Sequence, residues 1–474
     1  MPQPLSAVLI GAGNRGYEAY GPYALAHPEQ IQFRAVAEPQ DARRQRFARA
    51  HHIPASGQFI TWQDALSGPR IADVAIICTL DQMHLAPAVA ALESGYDVLL
   101  EKPMATTVAD CLRLVHAAQT TGKLLQIAHV LRFSPFFTQL HRIVTSGRLG
   151  RVVTVEHREN VSYWHMAHSY VRGNWRDSRQ ACPMILAKCC HDLDILYWNC
   201  GPCARLSSFG SLLHYRLPNA PQGAPERCTD ACPAAEDCPW YAPRLYIQLA
   251  PLLHEGRRST QLGQRLASSF LLRHPAIATA AGRLVPGLRA ALDYQGWPVS
   301  TIAVDSSLPA RWHALQEGPY GRCVYHCDNN VVDHQTVSME LENGATAVLV
   351  MHGHSHREGR TMRYEGTRAT LLGRYHPTEQ VIEIHDHFSD QVETIRPLRG
   401  DAKATGHGGG DEGLMAAFVD AVRHSRSGAT SALQALESHL MALAAERARL
   451  SGTVVDMDRY RQQARETLGQ KPQV

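Results

Sequence analysis

The feature that most restricts this 474-residue chain is Gly11-Ala12-Gly13-Asn14-Arg15-Gly16, placed directly after the apolar run Leu5 to Ile10. Taken alone, such a motif is only a tight turn. Between a strand and a helix it becomes the turn where a parallel α/β sheet receives a pyrophosphate. Gly11 permits the turn, Gly13 lets backbone N–H groups approach the phosphates, and Gly16 lets the helix pack on the strand. Further apolar runs follow at Phe33–Ala37, Val74–Cys78, Val98–Leu100 and Leu124–Ile127, with helical segments such as Ala42–His51 and Ala86–Ser94 between them. Their lack of strict alternation is that of strands covered on both faces. Residues 1–128 are therefore expected to form a Rossmann domain, a doubly wound parallel sheet.

Glu38 closes the second run at the spacing where a carboxylate meets the adenosine ribose. It accepts both ribose hydroxyls and repels a 2′-phosphate, so NAD is expected before NADP. Arg43 and Arg44 nearby read as a solvated helix face. Asn14, Arg15 and Glu101 complete the expected cofactor set with Gly11, Gly13, Gly16 and Glu38.

A chain this long exceeds one ordinary core, and its pattern changes after about residue 129. Val152–Glu156 reads as a strand, and Thr336–Val350 alternates around the hairpin signal Glu342-Asn343-Gly344. Thr361–Leu372 and Gln380–Ile395 continue the pattern, so residues 129–410 are expected to form an α/β domain with a large open, mainly antiparallel sheet. An irregular stretch of about 215–330 is read as an insertion, and 411–474 as closing helices over Asp411–Ser425 and Ser431–Leu450.

Partners are bounded by what is missing. A net charge of +3 without a Lys/Arg block argues against nucleic acid. No secretory leader pattern precedes Leu5, and the most apolar later stretch, Leu262–Leu292, is broken by Arg265, Arg273, Pro275, Arg283, Pro286 and Arg289. A cytoplasmic protein without a membrane span is expected, its twelve cysteines reduced or metal-bound rather than in disulfides.

The run Val98–Leu100 leads into Glu101-Lys102-Pro103, at the carboxyl end of a strand where ligands of open α/β sheets gather. With the glycine motif upstream and His191-Asp192-Leu193-Asp194 downstream, the layout resembles the glucose-fructose oxidoreductase/inositol dehydrogenase (Gfo/Idh/MocA) family. The resemblance is close over the Rossmann half and looser beyond it. It implies a nicotinamide cofactor, mostly sugar or cyclitol substrates, and an open sheet that often joins copies into a homo-oligomer. It also implies Lys102 as the substrate-binding catalytic lysine and His191 as general base.

One position departs from the pattern. Where the family usually has an aspartate, four residues before the histidine, this chain has Ala187, followed by Lys188. His191 is then expected to lean on Asp192 or Asp194, or to share its role with Lys188, Lys102 and Lys188 lowering each other's pKa.

The segment His165–Arg176 mixes aromatic and polar groups as sugar sites do, and His168, Arg172, Asn174 and Trp175 are candidate substrate contacts. His407, on the glycine run Gly406–Gly410, is another, while Asp411 reads as a helix cap. Cys228, Cys232, Cys238 and Cys323 are candidate ligands of a structural zinc, although their spacing matches no standard finger. The function expected is an NAD(P)-dependent oxidoreductase acting on a secondary alcohol of a sugar, sugar derivative or cyclitol. The alternative is an NAD-dependent glycosidase working by transient oxidation at carbon 3, elimination, water addition and re-reduction. A third, non-catalytic reading as a dinucleotide sensor sits poorly with Lys102 and His191.

Overall fold

The computed structural model describes residues 3–259, 261–274, 294–397 and 406–469. The first sheet is built from β1 (Leu5–Ile10), β2 (Ile31–Ala37), β3 (Gln58–Phe59), β4 (Val74–Ile77), β5 (Asp97–Leu100) and β6 (Leu125–Ile127). All pairings are parallel, in the order β3-β2-β1-β4-β5-β6. Val74 to Ile77 are buried throughout, as expected of a strand with helices on both faces.

The second sheet has nine strands: β7 (Val152–Ser162), β8 (Cys203–Ser211), β9 (His334–Leu341), β10 (Thr346–Ser355), β11 (Gly359–Gly366), β12 (Ala369–His376), β13 (Glu379–Asp386), β14 (Val392–Ile395) and β15 (Val455–Asp456). Their order is β14-β13-β12-β11-β7-β10-β9-β8-β15, antiparallel except where β10 runs parallel to β7. The expected hairpin joins β9 to β10, with Gly344 at φ +83°. Between β8 and β9 lies the insertion, with helices Ala242–Tyr246, Ala250–Gly256, Leu262–Arg273, Val299–Ile302 and Leu308–Glu317. Residues 275–292 of the apolar stretch noted in the sequence lie outside the described residues. Among the described residues no helix is long and apolar enough to cross a membrane.

The late helices tie the sheets together. Leu414, Met415, Phe418 and Val419 of helix Gly410–Arg423 pack into the core around Leu9 and Ile76 of the first sheet. Helix Ala432–Ser451 lends Ala432 and Ala435 to the core on the other face of that sheet, and Leu440, Met441 and Ala444 to the core of the second. A buried ion pair adds to this junction: Arg132, just after β6, donates to Asp194 of helix Cys190–Cys200 at 2.7 Å and 2.6 Å. Removing the carboxylate strands a guanidinium in the core. The Asp194→Ala variant is expected to lose about 3–5 kcal/mol of stability, measured by denaturant unfolding.

Candidate active site

At the carboxyl end of β1 the three glycines of the motif occupy three different environments. Gly11 sits at φ +94°, and a Cβ there would lie 2.7 Å from the carbonyl oxygen of Cys78. A Cβ on Gly16 would meet the Gly11 carbonyl at 2.4 Å, whereas above Gly13 nothing lies within 4 Å. The loop is thus packed beneath and open above, which fits a pyrophosphate lying over it. Glu38 is buried at the end of β2, where its carboxylate accepts from the N–H groups of Ala12 (2.8 Å) and Gln40 (2.9 Å). Arg44 is not a free phosphate ligand, since it donates to the Glu38 carbonyl and to Asp41.

Arg15 points across the cleft mouth. Its Nε donates to Glu101 at 2.6 Å and its Nη2 to Asp411 at 2.7 Å, while Tyr20 also donates to Glu101. The two carboxylates hold the guanidinium charged against the effect of burial. Asp411 is thus not the expected cap: no side-chain cap bond is made at this helix, and the carboxylate faces Arg15 and, at 3.2 Å, Nδ1 of His407. His407 sits at φ +49°, ahead of Gly408 and Gly409 at +64° and +91°. A non-glycine residue in that region costs about 1 kcal/mol or more, and the contact with Asp411 helps to hold it.

Lys102 follows β5, before a cis Pro103, and its Nζ donates to the Ala187 carbonyl at 2.9 Å. Two histidines not singled out in the sequence anchor this turn. His84 Nδ1 meets the Pro103 carbonyl at 2.7 Å, and His439 Nε2 accepts from the Met104 N–H at 2.9 Å. His191 stands near Lys102, with its ring 6.3 Å from that of His407 and 5.5 Å from that of His129. It is buried, and its Nδ1 has no hydrogen-bond partner among the described residues. Burial, followed by the charges of Lys102 and the neighbouring histidines, pushes its pKa well below the usual imidazole value, so it is neutral.

The carboxylates expected to support His191 are engaged elsewhere. Asp192 pairs with His157 (2.8 Å) and Arg360 (2.7 Å), and Asp194 with Arg132. Lys188 is also redirected. Its Nζ lies 3.2 Å from Glu358 and 3.4 Å from Glu159, and these carboxylates raise its pKa despite burial. The expected mutual lowering with Lys102 therefore does not occur at Lys188, which is an ion-paired cation rather than a base. Glu358 completes its set with the N–H and hydroxyl of Ser162 and with Nδ1 of His165, at 2.8, 2.9 and 3.0 Å.

Residues 5–129 match the oxidoreductase family with an NAD-binding Rossmann fold, and residues 142–209 match the C-terminal α/β domain of the same family. Residues 5–129 and 142–209 thus carry the two domains of the Gfo/Idh/MocA oxidoreductase family. It is 31% identical to the putative oxidoreductase YteT of Bacillus subtilis over 176 residues, which is 36% of this chain and 40% of that protein. It is 32% identical to inositol 2-dehydrogenase 2 of Saccharopolyspora erythraea over 131 residues, 27% of this chain and 35% of that protein. The matches thus span about two fifths or less of these relatives. Among solved structures, levoglucosan dehydrogenase with NADH and levoglucosan is similar in fold, with a TM-score of 0.64 at 15% identity, covering 96% of this chain and 100% of that one. An oxidoreductase from Agrobacterium radiobacter with NAD+, L-tartaric acid and magnesium aligns with a TM-score of 0.63 at 12% identity over 96% of this chain and 99% of its own.

Against the Gfo/Idh/MocA pattern, the segment 165–176 and the cysteines need correction. Arg172 is buried and donates to the carbonyls of Arg322 and Trp240, both at 2.7 Å, so it fastens the insertion and is not a substrate contact. Trp175 donates to Asp81 at 2.7 Å, bridging to the first domain, and Asn174 is exposed with no bond to the cleft. His168 is buried against the insertion, its Nδ1 2.7 Å from the Tyr246 hydroxyl. Cys228, Cys232, Cys238 and Cys323 do line one small cavity. Yet among the described residues no group of three or more His, Cys, Asp or Glu side chains is arranged to hold a metal ion. Arg172 Nη2 lies 3.6 Å from the Cys228 sulfur, so a guanidinium, itself a cation, lines this cavity. Among the described residues the cavity is not the expected structural zinc site.

The glycine geometry sets a direct test. Gly11→Ala places a side chain against the Cys78 carbonyl at positive φ. It is expected to cost about 1–3 kcal/mol in thermal unfolding and to weaken NADH binding in a fluorescence titration.

Proposed function

We propose that this chain is an NAD-dependent dehydrogenase that oxidises a secondary alcohol of a sugar, sugar derivative or cyclitol. The observation that carries the reading is the meeting of the Lys102 ammonium, at the carboxyl end of β5, with a neutral, unpartnered imidazole at His191, at the start of helix Cys190–Cys200. The two family matches and the sugar- and cyclitol-named relatives support it. The open space above Gly13 and the carboxylate of Glu38 suit a dinucleotide with a free ribose, hence NAD before NADP. When bound, the nicotinamide supplies the hydride acceptor. Lys102 donates to the carbinol oxygen and stabilises the charge that develops there. His191, held neutral, takes the hydroxyl proton. Arg15, fixed by Glu101 and Asp411, sits at the mouth of the dinucleotide cleft, and Asp411 orients His407 beside His191. Phe209, Val348 and Val350 lie on the outer face of the second sheet, and this is the face through which we expect copies to pair.

The test is NADH formation by the purified chain with a panel of free sugars, cyclitols and aryl glycosides; no turnover with any of them counts against the proposal. Lys102→Ala is expected to lower kcat/KM by about 10²–10⁴, with retained activity excluding the assigned role. The pH profile is a separate check. A base must be neutral to accept a proton, and His191 titrates well below the usual imidazole value. Going from neutral to mildly acidic pH, kcat/KM should therefore hold; a fall with an inflection at about 6.5 would show that an ordinary imidazole does the work.

A further inference from the structure

The insertion between β8 and β9 presents one helix whose outward face is apolar. Helix Leu262–Arg273 is seated on the insertion through Ser268 and Leu271, its two buried positions, and Ser268 packs against Gly256 of the preceding helix. The face turned away holds Leu262, Leu266 and Phe270, spaced four apart and 64, 62 and 38% exposed. A single exposed leucine is ordinary on a protein surface, whereas three apolar side chains in register along a helix form a continuous strip. The charge around the strip is of one sign. Arg265 and Arg273 on the helix and Arg257 before it are exposed, and none of them forms an ion pair among the described residues. From Gly256 to Leu292 the sequence has no aspartate or glutamate, and its fixed charges are Arg257, Arg258, Arg265, Arg273, Arg283 and Arg289. The whole chain carries only +3, so this concentration is local. A polyanion such as nucleic acid would engage the arginines and leave the leucines in water. An apolar protein groove would engage the leucines and gain nothing from the arginines. An anionic bilayer engages both: apolar side chains enter the acyl boundary, while guanidinium groups stay with the lipid phosphates and lay their stems along the apolar layer.

We propose that helix Leu262–Arg273 docks the chain on a membrane surface rich in anionic lipid. Leu262, Leu266 and Phe270 enter the apolar layer, and Arg257, Arg265 and Arg273 meet the headgroups. At 12 residues the helix is too short to span a bilayer, so it lies in the plane of the surface. The docking face already points outward while Ser268 and Leu271 hold the helix to the insertion, so binding requires no unfolding. The inference is independent of the proposed alcohol oxidation, whose groups stand on other elements.

The test mixes the full chain with vesicles of phosphatidylcholine alone and of an equal mixture of phosphatidylcholine and phosphatidylglycerol, and reads the bound fraction by flotation. Partitioning into the anionic vesicles is expected to exceed that into the neutral ones by about tenfold or more, and to fall in about 0.5 M salt. Leu266→Gln combined with Phe270→Gln, and Arg265→Gln combined with Arg273→Gln, should each lower it by about tenfold. Leu450→Gln, which removes a leucine 70% exposed on helix Ala432–Ser451, should leave it unchanged. The two paired variants are read separately, so a loss of folding in one leaves the other decisive. Equal partitioning into both kinds of vesicle, or binding that survives both pairs, overturns the proposal. So does an unaltered chain that stays in solution with every vesicle. The strip is instead a contact between copies if Leu266→Gln with Phe270→Gln shifts the elution volume and no vesicle is bound, and that result also overturns it.

Discussion

A single guanidinium joins the three parts of the chain that must meet for the cleft to exist. Arg15 leaves the glycine loop, reaches Glu101 beside the lysine, and ends on Asp411 at the start of a late helix. A partly buried cation between two buried carboxylates has no comparable alternative site, because any displacement leaves those carboxylates unpaired in a medium of low polarity. The loop, the strand end and the helix are consequently held at one relative placement. In this chain the bridge secures the corner where the ends of β1 and β5 meet the late helix.

Beneath that corner lies a second concentration of charge. Glu159, Asp192 and Glu358 face Lys188, Arg360 and the histidines His157 and His165. Such a network is a poor source of stability, since desolvation offsets most of the attraction. Its effect is positional. Each carboxylate has its oxygens committed, so each histidine has one nitrogen assigned and the other released. The cleft thereby contains imidazoles in two conditions: His191 without support and neutral, and His165 with a carboxylate behind it.

The parts of this arrangement visible in the sequence are those made by neighbours along the chain. The glycine loop, the Glu38 position and Glu101-Lys102-Pro103 are local, because a turn and the strand leading into it are read within a dozen residues. β7 shows why the rest was hidden. Its pattern was legible to Glu156, yet the strand continues to Ser162 with His157 and Glu159 fully buried. Charged residues pointing inward erase the apolar alternation by which strands are recognised, and they do so here because their partners stand on other elements. His165 and Glu358 are 193 positions apart, and no spacing rule links them. β8, with its serines and glycine, escaped for a related reason: its inward positions include Ser208, which is satisfied by Gln335. The cysteines mark the opposite failure. Their convergence on one cavity matched the expectation, but a buried arginine arriving from residue 172 changed its chemistry.

The partners of the Arg15 bridge are 396 residues apart. On the ribosome a domain assembles as its residues emerge, and the core around Leu9 and Ile76 stays unfinished until Leu414 and Phe418 are made. Until then the mouth of the dinucleotide cleft lacks the closing carboxylate, and the guanidinium has only half its counter-charge. A late segment of the chain thus sets the geometry of an early one.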